Sequence, residues 1–257
     1  MKRRGFLQTA GLALAGGARI ATRRAESQER DSTTVQNKDA ARPRVLIAAG
    51  DRRFADKMAS ALGETYGVVV ADTADAVQRV RGCHAIVYSP EASAIATDLE
   101  LLDRHTRQLY ALLTVAVAES VKAVVYLSSL RLMTSYPESY AVNEDFRPLP
   151  TSGPESFSPY LGEFVCREFA REGTLRAVVL RLGRIIDSTG TPNRPSPEPV
   201  TDLQDVCQVV GRALASGLAP GEPRPGAWQV FHVESGATGA RFDSNKARRV
   251  LRYVPRS

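Results

Sequence analysis

Two serines, Ser128 and Ser129, close the apolar run Val124-Val125-Tyr126-Leu127, and Tyr160 follows a stretch rich in proline, serine and glycine. Hydroxyls and a phenol can bind an oxygen-bearing substrate and move its proton, but a free phenol has a pKa of about 10. Roughly one in a thousand is then ionised at pH 7, and a downward shift of about three units, worth about 4 kcal/mol, needs a cation alongside. One helical turn beyond Tyr160 the chain offers Phe164, and no lysine is obviously placed to substitute. Of the five lysines, Lys57, Lys122 and Lys246 lie beyond the N-terminal region, and the nearest cations in sequence are Arg131 and Arg167.

A second group of candidates could face an anion. The run Val45-Leu46-Ile47-Ala48-Ala49 ends in Gly50-Asp51-Arg52-Arg53 and then enters a helical pattern. A glycine turn leading into a helix N-terminus can present amides to phosphate, although it is equally an ordinary strand-to-helix turn. Arg52 and Arg53 add positive charge. Asp72 stands 22 residues after Gly50, the spacing at which an acid on the next strand holds an adenosine ribose; its alternative role is to cap the short helix that follows. Cys83, Cys166 and Cys207 are far apart without a CxxC pair, and His84, His105 and His232 join no serine-acid set. The cysteines therefore read as small buried apolar residues, with no metal site. His84 and His232 read as sheet residues and His105 as a helix-surface residue.

The elements that position these residues alternate. Strands are expected at 44–50, 68–72, 84–88, 123–128, 176–182 and 228–233. Helices are expected at 54–62, 76–80, 98–120, 160–171, 202–216 and 243–251, with loops at 137–159 and 183–200. Continuous apolar strands separated by helices imply a parallel sheet covered on both faces. At 257 residues the chain accommodates one such α/β domain with a small C-terminal appendage. The net charge of +6 resides in the first 44 residues; the remainder carries 24 basic and 24 acidic side chains. Without a basic face in the folded part, nucleic acid is not an expected partner.

Several stretches resemble one family. Arg81-Gly82-Cys83-His84-Ala85-Ile86-Val87, Val121-Lys122-Ala123-Val124-Val125-Tyr126-Leu127-Ser128-Ser129 and Val178-Val179-Leu180-Arg181-Leu182-Gly183 occur in order. Glu144 before Arg147-Pro148-Leu149-Pro150, Glu168 after Tyr160, and the ending Ala247 to Pro255 complete the set. In these the chain resembles the extended short-chain dehydrogenases, the NAD-dependent epimerase/dehydratase family. The resemblance implies a Rossmann-like, doubly wound, three-layer domain over residues 44–257, with NAD or NADP as cofactor and a nucleotide-sugar-like or other small carbonyl or hydroxyl substrate. It implies Tyr160 as general acid/base, Ser129 as the substrate-orienting hydroxyl, Gly50, Arg52, Arg53 and Asp72 as cofactor contacts, and a homodimer through the long helix and the Tyr160 helix.

Three departures weaken that machinery. Phe164 stands where the family has its lysine, the glycine loop keeps one displaced glycine, and the segment from Asp72 to Cys83 looks like the family's third strand and helix, as though one strand were deleted. Two functions follow as expectations: an oxidoreductase or epimerase with weakened or lost catalysis, or a non-catalytic binding or interaction module on the same fold. Ahead of the domain, Lys2-Arg3-Arg4-Gly5-Phe6-Leu7 and an uncharged run to Ala18 resemble a twin-arginine export signal over residues 1–25, followed by a disordered linker over 26–43. The apolar run is too short for a stable membrane span, and the resemblance implies an exported protein, periplasmic or otherwise extracytoplasmic. The alternative is a basic tail on a cytoplasmic protein.

Overall fold

The computed structural model describes residues 42–90, 97–187, 198–235 and 241–256, so the signal expected at 1–25 and all but the end of the linker expected at 26–43 lie outside the described residues. One compact unit begins at Arg42. Six parallel strands form its sheet: β1 (Arg44–Ala49), β2 (Gly67–Ala71), β3 (Ala85–Ser89), β4 (Ala123–Ser129), β5 (Arg176–Leu182) and, after the short β6 (Arg184–Ile186) and β7 (Val200–Asp202), β8 (Trp228–Val233). Their order is β2-β1-β3-β4-β5-β8, and β6 and β7 make a separate parallel pair. The chain reverses direction across the sheet at β1, which has β2 on one side and β3 on the other. That is the switch point where open α/β sheets place their ligand crevice.

The strands are apolar because both faces are covered. One core layer joins Val45, Ile47, Val125 and Leu180 to α1 (Arg52–Leu62) and α6 (Leu203–Gly217). The other joins Leu46, Tyr88, Val124 and Tyr126 to α2 (Ala76–Arg79), α4 (Leu109–Ala118) and α5 (Pro154–Arg171). A third cluster at the strand ends gathers Leu130, Leu132, Met133, Val142 and Phe242. The chain closes with α7 (Asn245–Leu251). This is the three-layer α/β/α architecture expected, and among the described residues no helix is long and apolar enough to cross a membrane.

β2 pairs directly with β1, Arg44 opposite Gly67 through Ala48 opposite Ala71, and is also the edge strand of the sheet. Three expectations are corrected. The helix expected over 98–120 is α3 (Asp98–Asp103), a π turn (Arg104–Gln108) and α4. A π turn inserts a residue and shifts the helical phase, which turns His105 inward to 1% exposure and leaves Leu99 74% exposed. The helix expected from Tyr160 begins six residues earlier because Pro154 suits the first turn, and it continues through Pro159. The stretch 183–200 expected as loop holds β6 and the start of β7 at its ends.

Candidate functional site

At the C-terminal ends of β4 and β5 lies a cleft of about 660 Å³, bordered by Ser129, Arg131, Glu155, Gly183, Arg184 and Glu198 among others. Successive strand residues face opposite sides: Ser128 turns towards α5, while Ser129 borders the cleft. The Ser129 hydroxyl accepts the Arg131 amide N–H at 3.2 Å. The Arg131 guanidinium pairs with Glu155 and lies 3.7 Å from Glu198, which also meets Arg184 at 3.8 Å. Two carboxylates thus answer the cation nearest Ser129. Gly183 allows the chain to leave β5 under a close crossing: a Cβ there would lie 2.5 Å from the Pro199 carbonyl carbon. Its amide donates to the Thr201 hydroxyl at 2.9 Å, which donates to the Val233 carbonyl at 2.8 Å.

Tyr160 enters a different cavity. Its ring meets Phe164 edge-on, with centroids 4.9 Å apart at 81°, and packs against the Leu132, Met133 and Val142 cluster. The cavity, about 340 Å³, is also lined by Glu163, Arg167, Arg181 and Trp228. Ser129 thus lines the first cavity with Arg131, and Tyr160 lines the second with Arg167.

Behind Tyr160 is a buried ion pair. Glu163, three residues on, accepts two hydrogen bonds from Arg181 at 2.8 and 2.7 Å and one from the Ser128 hydroxyl at 2.7 Å; both charged side chains are about 5% exposed. Arg181 also approaches Nε2 of His232 at 3.4 Å. Burial, and then the Arg181 charge, hold the His232 pKa down at about 3, so the imidazole is neutral. None of the three lysines beyond residue 41 borders either cavity: Lys57 pairs with Asp187, Lys122 with Glu222 at 2.6 Å, and Lys246 donates to the Val230 carbonyl at 2.8 Å.

The four cofactor candidates lie together after β1 and β2. Gly50 donates its amide to the Ser89 carbonyl at 3.0 Å. Arg52 pairs with Asp56 at 2.8 Å, and Arg53 is exposed. Asp72 is exposed and accepts the Ala74 amide at 3.0 Å, so it shapes its own turn rather than capping α2, whose N-cap is Asp75. An exposed acid after the strand beside β1 fits the adenosine end of a dinucleotide. The pyrophosphate end does not fit. Asp51 caps α1, its carboxylate accepting the Phe54 amide at 3.0 Å, so a negative charge already occupies the helix start that a phosphate would need.

Sequence reading passed over Asp51, although an aspartate ahead of a helical pattern is an N-cap signature. It also passed over Glu163–Arg181, which no local spacing reveals because its partners are 18 residues apart on different elements. Among the described residues no group of three metal-ligating side chains forms. Cys83 and Cys166 are buried free thiols and Cys207 is half-buried.

No family model matches the sequence, and no curated protein does. Solved structures do share the fold. A mutated uronate dehydrogenase superposes with a TM-score of 0.66 at 19% identity, covering 84% of this chain and 82% of its own. A short-chain dehydrogenase/reductase superfamily protein from Agrobacterium tumefaciens with bound NAD gives 0.67 at 15% identity, covering 83% and 93%. The UDP-glucose 4-epimerase of Thermotoga maritima, with UDP-glucose, gives 0.65 at 15% identity, covering 82% and 93%. The fold is thus that of short-chain dehydrogenases and sugar-nucleotide epimerases.

Proposed function

We propose that this chain is an NAD-dependent epimerase/dehydratase family protein, related to the sugar-nucleotide oxidoreductases and epimerases, in which hydride-transfer catalysis is weakened or lost. The carrying observation is the separation of Ser129 from Tyr160 into two cavities. A general acid/base must reach the oxygen that the orienting hydroxyl holds. Phe164 provides no cation to Tyr160, and Asp51 opposes the cofactor pyrophosphate. The Ser129 cleft retains the size of a small-molecule site, and its paired arginines and carboxylates suit a hydroxyl-rich ligand of nucleotide-sugar type.

NAD or NADP is the cofactor this reading retains, held at the adenosine end by Asp72 and bound weakly. Export by the twin-arginine route and a homodimer through α4 and α5, where Tyr110 is 60% exposed, belong to the same proposal. The test is a titration of the purified chain with NADH and NADPH, followed by turnover assays with UDP-glucose and UDP-glucuronate. The expected outcome is weak cofactor binding and no turnover. Turnover abolished by Tyr160→Phe would overturn the reading and restore a working enzyme.

A further inference from the structure

The Tyr160 cavity has a lining unlike that of the Ser129 cleft. Its walls are aromatic: Tyr160, Phe164, Phe146 and Trp228. Its acids are spent inside the protein. Glu163 is neutralised by the buried Arg181, and the Glu144 carboxylate accepts the His232 amide at 2.8 Å, while burial raises its pKa. Its remaining cations are not spent: among the described residues Arg147 and Arg167 form no ion pair, and the Tyr160 hydroxyl makes no hydrogen bond. A cavity whose acids are answered internally while two guanidinium groups at its border are not carries a surplus of positive charge against flat aromatic walls. Guanidinium groups bind carboxylate and phosphate by paired hydrogen bonds, and aromatic walls accept a flat ring by stacking. At about 340 Å³ the space suits one ring and one anionic group, at the small end of ligand pockets.

We infer that this cavity binds a small ligand joining a planar aromatic ring to a single anionic group, held by Arg147 and Arg167 and by the Tyr160 hydroxyl. The reading stands apart from the Ser129 cleft and from any hydride chemistry. Tyr160 here is a binding group rather than an acid/base.

The chain contains one tryptophan, and Trp228 lines this cavity, so its emission reports occupancy here. The full chain is titrated with benzoate, uridine monophosphate, uridine and inorganic phosphate. A saturable change in Trp228 emission with benzoate or with uridine monophosphate is expected, the tighter of the two assigning the source as an aryl acid or a nucleotide. Arg147→Ala/Arg167→Ala should weaken that ligand by about tenfold or more, Tyr160→Phe should weaken it less, and Ser129→Ala should leave it unchanged. No saturable response to either aromatic anion at millimolar concentration would overturn the inference. So would uridine or inorganic phosphate binding as tightly as the aromatic anions, or undiminished binding by the double arginine variant with a native circular dichroism spectrum.

Discussion

The space a side chain would occupy at Gly162 is already filled by Tyr126, whose hydroxyl meets Nδ1 of His105 at 2.5 Å and the Pro159 carbonyl at 3.3 Å. A Cβ at Gly162 would overlap that hydroxyl and lie 2.6 Å from the ring carbon bearing it and 3.0 Å from the His105 carbonyl. Elsewhere in a helix interior, replacing glycine by alanine gains about 1 kcal/mol. Here the sign reverses: Gly162→Ala should destabilise by about 1–3 kcal/mol through overpacking, seen as a lower urea midpoint with an unchanged slope. A gain in stability would mean that α5 sits further from β4 than the structure places it. Glu163 obeys the same logic of neighbours. As a buried charge it exists only because Arg181 and Ser128 answer it, and it carries the chain's Tyr160-to-Phe164 turn inward against β5.

At the scale of elements, the first strand-turn-helix unit decides what the crevice can take. Asp51 supplies α1 with a good N-cap, and in doing so places a carboxylate on the amide nearest an incoming phosphate. Asp51→Gly removes that charge at a stability cost of only a few tenths of a kcal/mol, since glycine is itself tolerated as an N-cap. The expected result is NADH binding tightened by about tenfold, or about 1.4 kcal/mol, measured by nicotinamide fluorescence. Unchanged binding would show that the cap does not control access. The π turn between α3 and α4 works similarly at element scale. It sets the phase of two helices that sequence periodicity reads as one, burying His105 beneath α5 while Leu109, Leu112, Leu113 and Ala116 keep their common face.

Across the whole molecule, two buried imidazoles tie stability to pH. Burial holds His105 and His232 at pKa values of about 3, below the unfolded value of about 6.5. Between these values the unfolded chain binds more protons than the native one, so stability rises with pH across the window and is lost as pH falls from about 6.5 towards about 3. The raised carboxyl pKa values of Glu144 and Glu234 act in the opposite direction and offset part of the loss. Urea unfolding across this range should show a falling free energy, and His232→Gln should flatten the fall; an unchanged slope in that variant would exclude His232 as its source. The sequence by itself determined the six strands of the main sheet and that both its faces are covered: β5 and β8 fall where their apolar runs predict, because burial on two faces demands continuous apolar residues. It also determined that Phe164 cannot supply the cation Tyr160 would need. Only the tertiary structure decided that β2 lies beside β1, that Asp51 holds the start of α1, and that Ser129 and Tyr160 open into separate cavities. The physical reason is that periodicity reports which side of an element is apolar, whereas the direction a polar side chain takes is set by partners distant in sequence: Arg181 for Glu163, and Glu155 and Glu198 for Arg131.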